Sequence, residues 1–211
     1  MHPAIPLAGY HCARYNYAVS TLSNIKALCS VNTRLRLFWN YFETLSGNWQ
    51  TLPIEKSAFN PMDVAPCLTG VVLTETNMPD EVTLRLIGSD MEILFGRGAT
   101  GKNVLTLVSE KEAPGVRWFY KSLYDKPSIS YQDSILELET GKGIRTKTLG
   151  FPLWNKNGAP VYRITCSVYE RADWRNLQHK ASDAVVQHHL INKILFADIG
   201  YGAPDDVIPP A

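Results

Sequence analysis

The sequence lacks long apolar runs and an excess of charge of one sign. Its apolar runs are as short as Val71-Val72-Leu73, whereas a membrane-spanning helix needs about 20 apolar residues. The 21 Lys and Arg residues almost balance the 20 Asp and Glu residues in a chain of 211 residues. A general nucleic-acid binder depends on many phosphate contacts and is typically basic. We therefore expect neither a membrane nor a nucleic acid among the partners of this protein.

Cysteine is scarce and scattered. The four cysteines stand at positions 12, 29, 67 and 166 without a C-x-x-C pair, a spacing that indicates neither a disulfide framework nor a zinc site. Scattered thiols are typical of a reducing compartment. Residues 1–42 contain no acidic residue, which leaves a transit peptide open, but they have no continuous apolar core like that of a secretory signal. We expect a cytoplasmic protein with a flexible N-terminal arm over residues 1–30.

An amphipathic helix follows the arm. Four apolar residues recur at spacings of three, four and three: Leu35, Phe38, Phe42 and Leu45. This pattern predicts a helix from Arg34 to Ser46 that ends at Gly47. The apolar face either packs on the chain's own sheet or pairs with a second copy. Its roughly heptad spacing favours the seam of a homodimer.

The period of the apolar residues changes to two from residue 70. It predicts strands over residues 70–76, 81–87, 128–138, 144–154 and 160–171, with short helices between the second strand and the third. Strands and helices that are segregated along the chain indicate an α+β fold. We predict a five-stranded antiparallel sheet flanked by short helices, in one domain over residues 31–172 that includes the N-terminal helix. Residues 173–211 are assigned to a C-terminal extension.

The order of several short motifs over residues 35–108 and near the C-terminus resembles the PAS-like family of single-domain proteins common in alphaproteobacteria. The motifs are Phe38-Trp39 with Tyr41, Leu52-Pro53, Asn60-Pro61 with residues 62–66, Leu84-Arg85-Leu86-Ile87-Gly88, Leu94-Phe95-Gly96, Thr100-Gly101, Phe151-Pro152-Leu153 and residues 197–202. The resemblance implies a PAS-like fold and a sensory or regulatory module. Such a module is often dimeric and acts through contacts with a signalling protein rather than through catalysis.

The resemblance also implies a ligand space between the sheet and the helices, where small apolar or planar molecules are held. The residues that we assign to this space are Leu84, Leu86, Phe95, Leu105, Trp118, Phe119, Leu123 and Ile164. The alternative is a filled core without a cavity, because protein interiors are normally close-packed.

Flavin and haem are disfavoured by the same comparison. Flavin-binding light sensors of the PAS superfamily have a Gly-Arg-Asn-Cys motif where this chain reads Gly101-Lys102-Asn103-Val104, so the thiol for a flavin adduct is missing. Haem-binding PAS domains commonly supply a histidine from the helix before the third strand, and residues 110–125 contain none. We expect no cofactor and no metal.

A glycine-rich stretch is close to a phosphate-binding loop. Residues 96–103 read GRGATGKN, but Asn103 stands where G-x-x-x-x-G-K-[ST] has the hydroxyl that holds magnesium. We interpret the glycines as bends between short helices. No G-x-S-x-G motif occurs, and we expect no catalysis; the alternative is a small enzyme that uses the same cavity for acid/base chemistry.

Overall fold

A seven-stranded mixed sheet forms the centre of the fold. The structure, a computed structural model, describes residues 17–78, 80–96, 98–108, 110, 113–138, 143–170 and 186–204. The strands are β1 (Tyr17–Ser20), β2 (Val71–Asn77), β3 (Glu81–Ile87), β4 (Ser128–Leu138), β5 (Gly143–Leu153), β6 (Tyr162–Tyr169) and β7 (Val186–Asp198). Their spatial order is β1-β7-β4-β5-β6-β2-β3. Neighbouring strands are antiparallel except for β1 and β7, which are parallel.

The α+β class and the five predicted strands are confirmed, as β2 to β6. A purely antiparallel five-stranded sheet is wrong, because β7 pairs with β4 and carries the parallel strand β1 on its other edge. Strand β7 lies within the segment that we assign to a C-terminal extension, where the sequence analysis places no strand.

Among the described residues, four α-helices and several 3₁₀ helices pack against the sheet. The α-helices are α1 (Leu22–Ser30), α2 (Thr33–Leu45), α3 (Glu92–Phe95) and α4 (Ala113–Asp125). The 3₁₀ helices cover Lys56–Ala58, Pro61–Gly70, Ser89–Met91 and Val104–Thr106. Asn32 caps α2, since its Oδ1 accepts hydrogen bonds from the N–H groups of Arg34 and Leu35 at 3.0 and 3.2 Å. In the described part of the chain, no helix has the length and apolarity to cross a membrane.

The predicted arm and the predicted C-terminal extension both contribute to this architecture. Residues 17–30 form β1 and α1, and Ile25 and Cys29 of α1 are fully buried, so this part of the chain is not a flexible arm. Residues 1–16 of the predicted arm lie outside the described residues. The strand β7, within the predicted extension, belongs to the same sheet as the rest. The domain boundaries at residues 31 and 172 stay a prediction.

Helices α1 and α2 cover one face of the sheet with an apolar core. The side chains of Leu35, Phe38 and Phe42 are completely buried in this core, and Leu45 packs at its margin. The Phe42 ring stacks on Phe151 of β5, with ring centroids 4.4 Å apart. The face that we predicted to form a dimer seam is therefore covered by the chain's own sheet, and the alternative that α2 packs on its own domain is confirmed. A homodimer through another surface stays a prediction.

A β-bulge at the start of β2 reverses the side-chain alternation of β3. The register changes from Leu73 opposite Leu86 to Thr74 opposite Leu84, so that Arg85 is the extra residue. Leu84 consequently faces α4, whereas Leu86 packs into the core under α1 and α2. Arg85 forms a cross-strand ion pair, with its Nε 2.5 Å from Oε2 of Glu75 on β2.

Candidate functional site

The sheet face that looks toward α4 is lined by polar side chains. Alternate residues of a strand point to the same face, and the residues of β2, β4, β5 and β6 on this side are mostly hydroxyl or amide residues. They enclose, with helices α3 and α4, a half-open cavity of about 130 Å³. Its sheet wall includes Thr74, Gln132, Thr148, Thr165 and Ser167, and its helical wall includes Phe95, Val104, Val116, Phe119 and Tyr120.

The hydroxyl groups of the sheet wall are ordered by hydrogen bonds across the strands. The Oγ atoms of Thr148 and Ser167 lie 2.8 Å apart, and the Thr165 hydroxyl donates to the carbonyl of Val72 at 3.4 Å. A hydroxyl that donates one hydrogen bond still has acceptor lone pairs. The sheet wall therefore combines a fixed row of polar atoms with the apolar side chains of Val72, Ile191 and Ile194, opposite a helical wall that is mostly apolar and aromatic. A largely apolar site with a few polar groups is the usual construction of a small-molecule site.

A buried arginine lies beside this wall. Arg163 of β6 is only 5% exposed, and its Nη2 donates to the hydroxyl of Ser130 on β4. Among the described residues, its Nε and Nη1 atoms have no hydrogen-bond partner. Burial lowers the pKa of Arg163 to about 10, so the guanidinium still carries its charge at neutral pH.

Two neighbours hold the guanidinium in place. It lies over Gly150, where an added Cβ would be 2.3 Å from Nη2, so only a residue without a side chain fits beneath it. The ring of Phe119 on α4 covers it from the other side, with Cζ 5.4 Å from the ring centroid. Phe119 itself lines the cavity, and so does Thr165, two residues from Arg163 on the same face of β6.

The structure brings together two of the eight residues that we assigned to the ligand space. Phe95 and Phe119 line the cavity, while Leu84 packs just behind it against Val104. Three residues lie beside the cavity rather than in its lining: Leu105 follows Val104, Trp118 contacts Tyr17 of β1 with ring centroids 4.6 Å apart, and Leu123 packs on Ile194 and Phe196. Leu86 and Ile164 are on the opposite face of the sheet, in the core under α1 and α2. The ligand-binding role of the whole set stays a prediction.

The structure corrects the assignment of Ile164 to the ligand space. We took the apolar side of β6 to face the ligand, whereas that side fills the core and the polar side lines the cavity. Arg163, Thr165 and Ser167 were therefore missed. The sequence holds no signal for them, because the alternation of these three polar residues with Ile164 and Cys166 is also the pattern of an antiparallel strand with one face in water.

The glycine-rich loop serves the fold, since its polar groups are used within the chain. Gly101 N–H donates to the carbonyl of Leu84 at 2.7 Å, and Leu84 N–H donates to the carbonyl of Lys102 at 2.9 Å. Asn103 Oδ1 accepts from Val82 N–H at 3.0 Å, and its Nδ2 donates to the carbonyl of Asp80 at 2.8 Å. The N–H of Gly101 is thus used within the fold, and Gly96 and Gly101 have positive φ angles of 78° and 85°, as expected of glycines at bends.

Other potential sites are limited within the described residues. They contain no group of three His, Cys, Asp or Glu side chains placed to hold a metal ion. Val104, at the position where flavin sensors have their reactive cysteine, lines the cavity. Cys67 and Cys166 share a hydrogen bond in the other core, and this bond together with burial raises the pKa of Cys166.

Comparisons with known proteins find only distant likeness. Neither a protein-family model nor a curated protein matches the chain. Among solved structures, the chain is similar to a light-oxygen-voltage domain studied with a flavin analogue, at 13% identity and a TM-score of 0.28; the match covers 54% of this chain and 85% of that domain. It is also similar to the Agrobacterium tumefaciens repressor BlcR, at 11% identity and a TM-score of 0.21, over 86% of this chain and 88% of the repressor. Likeness at this level carries no argument about function, and membership of the PAS-like family stays a prediction.

Proposed function

We propose that this protein is a non-catalytic sensory or regulatory module that binds a small molecule in the cavity between the sheet and α4. The observation that carries the proposal is the construction of the cavity: an aromatic and aliphatic wall faces a row of ordered hydroxyl groups. Apolar area supplies affinity in such a site, and the few polar groups select the ligand.

Binding is favoured over acid/base catalysis by the chemistry of the lining. The described residues that line the cavity include no carboxylate, imidazole or thiol. A general acid or base near neutral pH is most often one of these groups. The hydroxyl and amide groups that are present suit recognition.

A route from the cavity to a partner protein runs through the edge of the sheet. Tyr17 of β1 and Ile191 and Ile194 of β7 line the cavity, and β1 lies at the edge of the sheet that the described residues form, with Val19 59% exposed. An edge strand offers unpaired backbone groups to another chain. A ligand that packs on Tyr17 would alter how firmly β1 is held, which a signalling protein bound at this edge would sense. Amide hydrogen exchange over residues 17–20 should slow when the cavity is filled.

Native mass spectrometry tests the binding function. The purified wild-type protein should carry an additional small mass that denaturation releases, or compounds from a small-molecule library should raise its melting temperature. Val116→Phe, which adds a ring to the cavity wall, should abolish both effects. The matched control is Val31→Phe. Val31 directly follows the last residue of α1, is 76% exposed and is not among the residues that line the cavity. A wild-type protein that carries nothing and responds to no compound would contradict the proposal.

A further inference from the structure

The side chains around the cavity between the sheet and α4 indicate the chemical class of molecule that it takes. Four of them form a hydroxyl row on the sheet wall: Thr74, Thr148, Thr165 and Ser167. We infer that the ligand is an uncharged molecule of about one ring that donates a hydrogen bond to this row. The inference rests on the proposed function, since it names the ligand class of the same cavity.

The lining of the cavity is uncharged. The described residues that line it include no Asp, Glu, Lys, Arg or His. Burial raises the pKa of Tyr120, so its hydroxyl also stays neutral at neutral pH. Arg163 is not part of the lining, because it borders a separate space of about 10 Å³. An ion in the cavity would lose its hydration without a charged partner, which favours an uncharged ligand.

The volume of the cavity sets the size of the ligand. The cavity measures about 130 Å³, and an engineered apolar cavity of about 150 Å³ in another protein binds benzene. The lining includes the rings of Phe95, Phe119 and Tyr120 and the thioether of Met91, all of which pack favourably on an aromatic ring. A molecule of about one ring therefore fits.

The hydroxyl row offers a ligand more acceptors than donors. Thr74 and Thr165 donate their hydrogens to backbone carbonyls of the neighbouring strand, each at 3.4 Å. Thr148 and Ser167 share one hydrogen over 2.8 Å, and Gln132 beside them is engaged within the chain as well. These bonds use three of the four hydroxyl hydrogens of the row, whereas each oxygen has two lone pairs and keeps acceptor capacity.

A ligand that donates a hydrogen bond matches this row. A hydrocarbon ring would cover the oxygens without giving them a partner, and a buried polar group without a partner costs free energy. A molecule that only accepts would compete with the carbonyls for hydrogens that are already used. A hydroxyl or N–H group on a ring supplies the missing donor, so a phenol or an N–H heterocycle represents the class.

Four one-ring probes separate these properties in calorimetric titrations. Phenol can donate a hydrogen bond, toluene has nearly the same shape without a polar group, anisole can only accept, and benzoate is charged. The proteins are the wild type, the triple variant Thr148→Val/Thr165→Val/Ser167→Ala and the control Thr83→Val. Thr83 is a buried strand residue that is not among those that line the cavity, and its hydroxyl donates to Glu81 at 3.0 Å.

The preference for phenol over toluene should be about 2- to 13-fold larger in the wild type than in the triple variant, which corresponds to the roughly 0.5–1.5 kcal/mol of one hydrogen bond. The hydration of each probe cancels in this comparison. The preference for anisole over toluene should not change, and Thr83→Val should behave like the wild type. Benzoate should bind the wild type at least about tenfold more weakly than phenol does. Val116→Phe should prevent the binding of every probe, which places them in the cavity.

Benzoate that binds as tightly as phenol would overturn the uncharged class, and a change for anisole equal to that for phenol would overturn donation by the ligand. An unchanged preference for phenol in the triple variant would overturn the role of the hydroxyl row; Thr165→Val alone provides this comparison if the triple variant does not fold. If no probe binds although the purified protein carries another small molecule, the inference fails and the proposed function stands. If the protein carries nothing and responds to no compound, both fail.

Discussion

The stability of the fold should depend strongly on one aromatic stack, between Phe42 of α2 and Phe151 of β5. Phe42 is completely buried, its ring lies 4.4 Å from that of Phe151 and 6.1 Å from that of Phe59, and the other face of the sheet cannot replace these contacts. Truncation of a buried phenylalanine to alanine costs about 3–5 kcal/mol, since it removes the transfer free energy of the ring and leaves a cavity. We expect Phe42→Ala to lower the free energy of unfolding by this amount.

The measurement is equilibrium unfolding in urea, followed by circular dichroism, with the melting temperature as a second readout. For a chain of this length, each kcal/mol corresponds to about 2–4 °C, so the melting temperature should fall by roughly 6–20 °C. The matched control is Leu37→Ala on the exposed side of the same helix, where Leu37 is 43% exposed and a change within about 1 kcal/mol is expected. The reasoning fails if Phe42→Ala leaves the unfolding curve unchanged, or if it converts a dimer into a monomer of unaltered stability.

Two further predictions concern side chains that organise loops. Asn103→Ser completes the phosphate-loop pattern in sequence, but it should bind no ATP in a fluorescent-nucleotide titration, because the Gly101 N–H is bonded to Leu84 of β3 and only a three-residue helix follows. It should also lower the free energy of unfolding by about 1–3 kcal/mol through the lost amide hydrogen bonds. Asp198→Ala should destabilise the C-terminal turn by about 1–3 kcal/mol in urea unfolding, whereas Asp198→Asn should keep most of the stability. Asp198 Oδ1 accepts hydrogen bonds from the N–H groups of Gly200, Tyr201 and Gly202 at 2.7–3.0 Å, and an asparagine retains this acceptor; equal losses in both variants would refute the explanation.

Local patterns were sufficient for most elements of the fold. The helix predicted from Arg34 to Ser46 is α2, and the period-two segments are strands at nearly the predicted bounds. These elements carry their own signals, namely an apolar stripe at helical spacing or an alternation bounded by turn residues. Strand β1 and helix α1 have only four and nine residues, which is too short for a sustained period.

The packing of these elements is harder to predict from the sequence than the elements themselves. An apolar face at heptad-like spacing is compatible with a dimer seam and with a sheet-covering helix, and only the tertiary structure decides between them. The bulge at Arg85 adds one residue to β3 and turns Leu86 to the opposite face, although the composition of the strand keeps its regular alternation. A single-residue insertion of this kind reverses the face of the sheet to which each following side chain of the strand points.

The two faces of the sheet have different roles: one packs the core that stabilises the fold, and the other lines the cavity that we assign to recognition. On β6, Ile164, Cys166 and Val168 fill a core under α1 and α2, while Thr165 and Ser167 on the other side line the cavity, and Arg163 is buried beside it. A cavity forgoes dispersion contacts, and Arg163, a buried cation that has no counter-ion among the described residues, costs desolvation free energy, so the second face reduces the stability of the unliganded protein. The first core has to compensate for that loss. Changes in the first core should therefore alter the free energy of unfolding at every ligand concentration, whereas changes at the cavity should act mainly through the ligand. On this argument Arg163→Met, which removes a buried charge from the second face, should raise the free energy of unfolding of the unliganded protein in urea, and a lower free energy of unfolding in this variant would refute the argument.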